Sequence, residues 1–408
     1  MDIGLNFSIH LSLTVAAMAV IMLVRDITNV RTVALIALLM MFVLEVIPAV
    51  LGLQEVMSLS PIRLRSFIIL GNLLACFYTP AFMSSRLTFS LILLMNGLTL
   101  GLLEIGDIRL LCLVVPVFFL ILIAATGTKN GMHRILMVFG VLCTALISMS
   151  VLYPADAGLD TGMLELVGLI FFIGLFPVSP WFSKLYENLP SGLLASAFIV
   201  QAMFIISVQQ QQSLDRNAVL AVLPLLSIIS VLMALAQHNA RRALSGLAAS
   251  QLGFLVYADS GQHFSDLAGS LLAQAQMVAI PGLILTLGIL ETRIGKLNLS
   301  RPTGQYDSYP KLASAMLLFG LMSAGFPLSL VYVAEDLILE AGLYEAPLQG
   351  FAWLGVTALT AIAVMKLYLY LCHGGKGFEP GIDILPSKLF AAVFVTGFLI
   401  VSSFTLTA

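Results

Sequence analysis

Glu335 and Asp336 stand side by side in FGLMSAGFPLSLVYVAEDLILEAGL (319–343), where every residue ahead of them is uncharged. An ionisable group in such a run is costly to bury, and its capacity to take and give a proton is the usual reason for its presence. Asp336 and Glu340, four apart, share a helix face, whereas Glu335 points about 100° away from Asp336. Lys366 is the one basic residue inside a later apolar run. It is expected to pair with one of these acids or to snorkel past Tyr368 and Tyr370 to the boundary. Glu45, in FVLEVIPAV near a predicted helix end, is expected at an interface, and Gln201 and Gln276 are expected to make interhelical hydrogen bonds. The cysteines (Cys76, Cys112, Cys143 and Cys372) form no CxxC or Cys/His cluster. No metal, cofactor or catalytic site is therefore expected.

Hydrophobic residues make up 60% of the 408 and charged residues only 10%, with a mean hydropathy of +1.05. Soluble domains carry about 25% charged residues, so the composition predicts an all-α, multi-pass integral membrane protein. The net charge of −2 and the lack of a basic block exclude nucleic acid as a partner. The Met-Asp start without a basic stretch predicts that the first apolar run is retained.

Spanning helices need about 20 apolar residues. Fourteen runs qualify: 8–24, 32–53, 66–84, 87–104, 110–126, 135–153, 162–180, 191–209, 217–237, 243–258, 266–292, 312–344, 350–372 and 389–407. Fourteen of the 19 Lys and Arg residues follow odd-numbered spans and four (Arg63, Arg65, Arg109, Arg216) follow even-numbered ones. That asymmetry places odd-to-even loops in the cytoplasm and both termini on the opposite side. The twelfth span is too long for one straight helix and holds Gly325 and Pro327; the seventh ends in Pro177, Pro180 and Trp181. Two interrupted helices in corresponding places predict a transporter-like pathway built from two repeats. The expected divisions are N-terminal helices 1–84, a first repeat 85–209, a second repeat 217–345 and C-terminal helices 350–408.

Three segments carry a family resemblance. PVSPWFSKLYENLP (177–190) is similar to the Pro-x-x-x-Trp-Leu-Pro-Asp-Ala…Pro signature of antiporter-like subunits, through Pro177, Trp181 and Pro190. HNARRALSGLAASQLGF (238–254) keeps Arg241, Arg242, Ser250, Gln251, Gly253 and Phe254 in register with a second signature. AGFPLSLVYVAEDLIL (324–339) does so with Gly325, Pro327, Ser329, Glu335, Asp336, Ile338 and Leu339. The chain thus resembles the large membrane subunits of NADH:quinone oxidoreductase (complex I), membrane-bound hydrogenases and Mrp-type sodium/proton antiporters.

The resemblance implies a relay of buried ionisable groups, and this chain departs from it. Pro116 falls near the place of the fifth-span glutamate, Phe172 replaces the seventh-span lysine, and the eighth span offers Phe198, Gln201 and Met203, none titratable. Gln276 stands where some members carry a histidine. Glu335 alone keeps its place, with Asp336, Lys366, Gln276 and Arg241 as further proton-path candidates. Phe, Pro, Met and Gln cannot carry a proton by changing charge. The expected function is an antiporter-like subunit of a larger energy-converting complex in a prokaryotic cytoplasmic (inner) membrane. Its partners would be other membrane subunits, the lipid bilayer and protons or cations, and its role a scaffold or half-channel. Two alternatives are a membrane partner in inorganic-carbon (bicarbonate/CO2) accumulation and a stand-alone cation/proton antiporter.

Overall fold

A computed structural model describes residues 3–24, 26–50, 59–80, 85–104, 161–175, 179–211, 216–258, 265–327, 329–374 and 383–407. Their regular structure is helical: α1 (Ile3–Leu23), α2 (Ile27–Val50), α3 (Leu59–Tyr78), α4 (Arg86–Glu104), α5 (Thr161–Ile173), α6 (Ser179–Asn188) and α7 (Ser191–Gln211). There follow α8 (Arg216–Ala236), α9 (Ala240–Ala258), α10 (Ser265–Ile294), α11 (Pro310–Ser323), α12 (Leu330–Glu345), α13 (Pro347–Cys372) and α14 (Pro386–Thr407). Twelve of the predicted spans fall on these helices. The fifth and sixth, 110–126 and 135–153, lie outside the described residues. The seventh and twelfth are each split in two, α5/α6 and α11/α12.

Five of the described helices are long and apolar enough to cross a membrane, the 27-residue Ala268–Ile294 stretch of α10 among them. α10 is the central post, with α3, α7, α9, α11 and α12 packed around it. Where no water drives association, such helices approach through small residues. Gly71 on α3 leaves room for the Met277 carbonyl of α10, and Gly288 on α10 receives Ser191 of α7. α2, α13 and α14 instead expose apolar side chains such as Ile36, Met40, Phe351, Ile362 and Phe390, as helices at the lipid-facing edge of a bundle do.

Two connections are tied to each other and to the bundle. The turn before α9 bridges the segment after α10 through Asn239 and Asn298. Residues 303–306 bond along the end of α13, with the Thr303, Gln305 and Tyr306 amides donating to the Tyr370, Leu371 and Cys372 carbonyls. These contacts satisfy carbonyls that the end of a helix leaves unpaired.

Candidate functional site

The two helix breaks are built alike. α11 closes with the Phe326 amide donating to the Leu321 carbonyl at 3.1 Å and the Gly325 amide to Met322 at 3.2 Å. Gly325 takes φ +68°. This is the glycine-terminated Schellman motif, which satisfies two of the last carbonyls of a helix. Pro327 cannot continue the ladder, and Ser329 restarts it by capping α12, its Oγ accepting from the Tyr332 amide at 3.1 Å. α5 ends identically. Leu175 donates to Ile170 and Gly174 to Phe171, each at 3.2 Å, with Gly174 at φ +73°. The sequence signal at this break lay with the prolines. The turn itself falls earlier, at Gly174, because the helix terminates through a left-handed residue and not by the absence of a donor. Pro180 sits in the first turn of α6, a position that needs no amide donor, and Pro177 lies outside the described residues.

What faces each break differs. The Glu335 carboxylate occupies the space that a β-carbon on Gly325 would need. Glu335 is 6% exposed, and its Oε1 is buried with no hydrogen-bond partner among the described residues. At the first break the Phe182 side chain fills the corresponding space against Gly174. The Trp181 indole N–H donates to the Phe171 carbonyl at 2.9 Å. One break is lined by a carboxyl group and the other is plugged by aromatic rings.

The remaining predicted residues separate by environment. Phe172 is fully buried, its ring centroid 4.9 Å from that of Phe204, and its carbonyl accepts from the Gln201 side chain at 3.4 Å. Met203 is buried as well, and Pro116 lies outside the described residues. Gln276 donates to Gln251 at 2.8 Å, and Gln251 reaches Thr360 at 3.5 Å, a buried amide chain linking α10, α9 and α13. Asp336 and Glu340 are exposed, on a face of α12 turned away from Glu335.

Of the two outcomes expected for Lys366, pairing with one of these acids is not seen among the described residues. Its ammonium donates to the Leu235 carbonyl in the last turn of α8 and lies 5.7 Å from the Tyr370 ring centroid. A cation suits a helix C-terminus, where carbonyl dipoles converge. Arg241, 7% exposed, is engaged on several sides. Its Nε donates to Glu291 at 2.5 Å and its Nη1 to the Tyr186 and Leu189 carbonyls at 3.0 and 2.7 Å. It clamps the end of α6 to α9 and α10. Glu187 beside it accepts from Lys184 at 2.7 Å and from Arg242. Burial opposes ionisation there, yet the hydrogen bonds and positive charge of these two partners outweigh it and hold Glu187 below the usual carboxylate range.

Glu45 stands five residues from the end of α2 and has partners that the sequence did not indicate: it is 4% exposed and bonds His10 at 2.7 Å, with Arg65 at 3.7 Å. Sequence reading missed this group because its members lie 35 and 20 residues apart on three helices. The available signal was His10, the one histidine of five inside an apolar run.

Broken, glycine-terminated helices crossing a buried bundle, with one ionisable side chain at a break, define a multi-pass membrane subunit of the antiporter-like class. The family model for the membrane domain of NADH:quinone oxidoreductase and Mrp antiporters matches residues 156–362, just over half of the chain, and the chain belongs to that family. A Na(+)/H(+) antiporter subunit of Alkalihalophilus pseudofirmus is 25% identical over 264 residues, 59% of this chain and 54% of that protein. An NADH-quinone oxidoreductase subunit of Acidobacterium capsulatum is 28% identical over 262 residues, 59% of this chain and 52% of that protein. The chain therefore spans about half the length of the curated relatives it matches. Among solved structures, a chain of respiratory complex I from Thermus thermophilus with bound NADH shares the fold. Its TM-score is 0.77 at 18% identity, over 96% of this chain and 95% of that one.

Proposed function

We propose that this chain is a non-redox membrane subunit of a larger ion-translocating complex of the NADH:quinone oxidoreductase or membrane-bound hydrogenase type. It sits in a prokaryotic inner membrane with both termini on the non-cytoplasmic side. Residues 85–209 and 217–345 form two repeats, flanked by N-terminal helices 1–84 and C-terminal helices 350–408. The observation that carries the reading is the contrast between the breaks: Glu335 against Gly325 in one, Phe182 and Trp181 against Gly174 and α5 in the other.

A carboxyl oxygen without a hydrogen-bond donor is not locked in an ion pair, and such a group is free to take and release a proton. The first break presents Phe182 and Trp181 where the second presents a carboxyl group, and the buried Phe172 has no titratable atom. The chain then works as a half-path, exchanging protons at Glu335, and as a scaffold elsewhere. Arg241 and Lys366 act in this account as helix clamps, and the Gln251–Gln276 amides as fixed polar contacts. Asp336 and Glu340, exposed on a largely apolar helix, suit a face covered by a neighbouring subunit. The test is to assemble the native complex with Glu335→Gln and to compare its proton-coupled activity with that of Phe172→Leu. Loss in the first and retention in the second support the half-path. Purification of that complex identifies its other subunits, and a complex in which no subunit carries a redox cofactor would overturn the assignment to an oxidoreductase or hydrogenase.

A further inference from the structure

Three cations from separate helices meet at one end of the bundle, away from either break. Arg31 lies near the start of α2, Arg293 in the last turn of α10 and Lys388 in the first turn of α14. The end of α3 stands between them. Arg31 and Lys388 lie 5.7 and 6.0 Å from the Phe77 ring centroid, and Lys388 lies 5.6 Å from that of Tyr78. The Tyr78 hydroxyl donates to the Lys388 carbonyl, and Arg293 covers the Tyr309 ring at 4.7 Å. We propose that Arg31, Arg293 and Lys388 bind the phosphate of an anionic phospholipid, whose acyl chains lie along the outward face of α14.

The chain gives these cations few partners of its own. Arg31 donates to the Phe77 carbonyl, and its Nε is buried with no acceptor among the described residues. Arg293 Nη1 likewise has no hydrogen-bond acceptor; Asp383 is 3.8 Å from it. That carboxylate is engaged elsewhere. It accepts from the Lys311, Leu312 and Ile384 amides at 2.7, 3.3 and 2.6 Å, which caps the start of α11. The Lys388 ammonium contacts two aromatic rings, with no carboxylate or hydrogen-bond acceptor beside it among the described residues. A purely structural clamp pairs its cation, as Arg241 is paired with Glu291.

The electrostatics favour an anion there. Lys388 precedes the apolar run 389–407, and burial together with the like charges of Arg31 and Arg293 pushes its ammonium down to about 8. It also stands at the N-terminal end of α14, where the backbone dipoles add positive potential. An anion placed among the three groups relieves both effects. The surroundings indicate a lipid as the source of the phosphate. Leu385, Phe390, Val393 and Phe394 are exposed along α14, so an apolar face runs on from the cations. Basic pockets between membrane helices hold anionic headgroups in this way, whereas a free phosphate has no use for the apolar flank. All three cations follow odd-numbered spans and share one face in the proposed topology.

The test uses the full chain, purified in neutral detergent and stripped of lipid. Phosphatidylglycerol and phosphatidylcholine with the same acyl chains are titrated in parallel, and bound lipid is counted by native mass spectrometry. The first phosphatidylglycerol is expected to bind at least about tenfold more tightly than the first phosphatidylcholine. Lys388→Gln, which removes a cation whose side chain makes no hydrogen bond, should lower that preference about fivefold, as should Arg31→Gln. Lys296→Gln, at an exposed position after α10, should leave it unchanged. Thermal unfolding without lipid checks that each variant is folded, and Lys388→Gln decides alone if Arg31→Gln is not. Equal affinities for the two lipids, or a preference indifferent to Lys388→Gln, would overturn the inference. Displacement of phosphatidylglycerol by millimolar inorganic phosphate would also overturn it, by showing a site for free anions. The readout needs no proton-coupled activity, so it is independent of Glu335.

Discussion

Glu335 Oε2 fills the place where a β-carbon on Gly325 would be, so the helix break and the buried carboxyl are one feature. Gly325 is needed twice. Its φ of +68° is a conformation that residues with a β-carbon adopt at a cost of about 1–2 kcal/mol, and any side chain there displaces the carboxylate.

Gly325→Ala is accordingly expected to destabilise the purified protein by about 2 kcal/mol or more. Gly355→Ala, in a helix with nothing near the added carbon, should be neutral or stabilising by up to about 1 kcal/mol. Thermal unfolding in detergent, with the two variants side by side, checks the pair. Equal effects would show that the turn at Gly325 does not depend on its left-handed residue.

Arg241 reads from the sequence as a possible member of a proton path, whereas its contacts suit a clamp. Arg241→Ala leaves the part-buried Glu291 and the buried Tyr186 and Leu189 carbonyls without their donor, which should cost about 1–3 kcal/mol. Arg241→Lys retains the charge but not the fork, and is expected to recover only part of that stability. If Arg241→Lys left stability intact and altered proton-coupled activity alone, the clamp reading would be wrong.

Trp181→Phe keeps the aromatic plug of the first break and removes the indole donor to Phe171. The expected loss is about 1 kcal/mol, the net worth of one such bond. Trp181→Ala should cost about 3–5 kcal/mol through the cavity it opens. Unfolding midpoints of the two variants separate the hydrogen bond from the packing.

The Glu187 cluster gives a pH dependence. Its carboxyl is held below the ordinary value of 4.5 in the folded chain, so the folded state binds the proton more weakly than the unfolded one. The stability this contributes is fully present above the unfolded value and is lost as pH falls through the lower folded one. Acid titration of the unfolding midpoint should show a decline below about pH 4.5 that is shallower in Glu187→Gln. Identical slopes in the two proteins would remove the cluster from the acid response.

Much of the bundle was legible because membrane burial forces it: helices 20 residues long and apolar leave a continuous hydropathy signal. Glu335 was legible for the same reason, as a charge with no business in that solvent. Gly325 and Pro327 marked the second break by type. Partners were not legible. Lys366 ends on a carbonyl 131 residues away, and His10 and Glu45 meet across 35 residues. Such contacts depend on how helices are arranged around α10, which single-helix periodicity does not encode. Gly174 was overlooked for a different reason: two prolines just after it carried the obvious signal, and the Schellman turn that ends α5 lay outside them.

The central claim is that proton exchange at the helix breaks rests on Glu335, while the first break and Phe172 are closed to it. Proton translocation per turnover by the native complex, assembled with Glu335→Gln or with Phe172→Leu, tests it most directly. The account predicts a fall of at least about tenfold in Glu335→Gln and near-normal translocation in Phe172→Leu. Normal translocation in Glu335→Gln with assembly intact, or a comparable fall in Phe172→Leu with assembly intact, would contradict it.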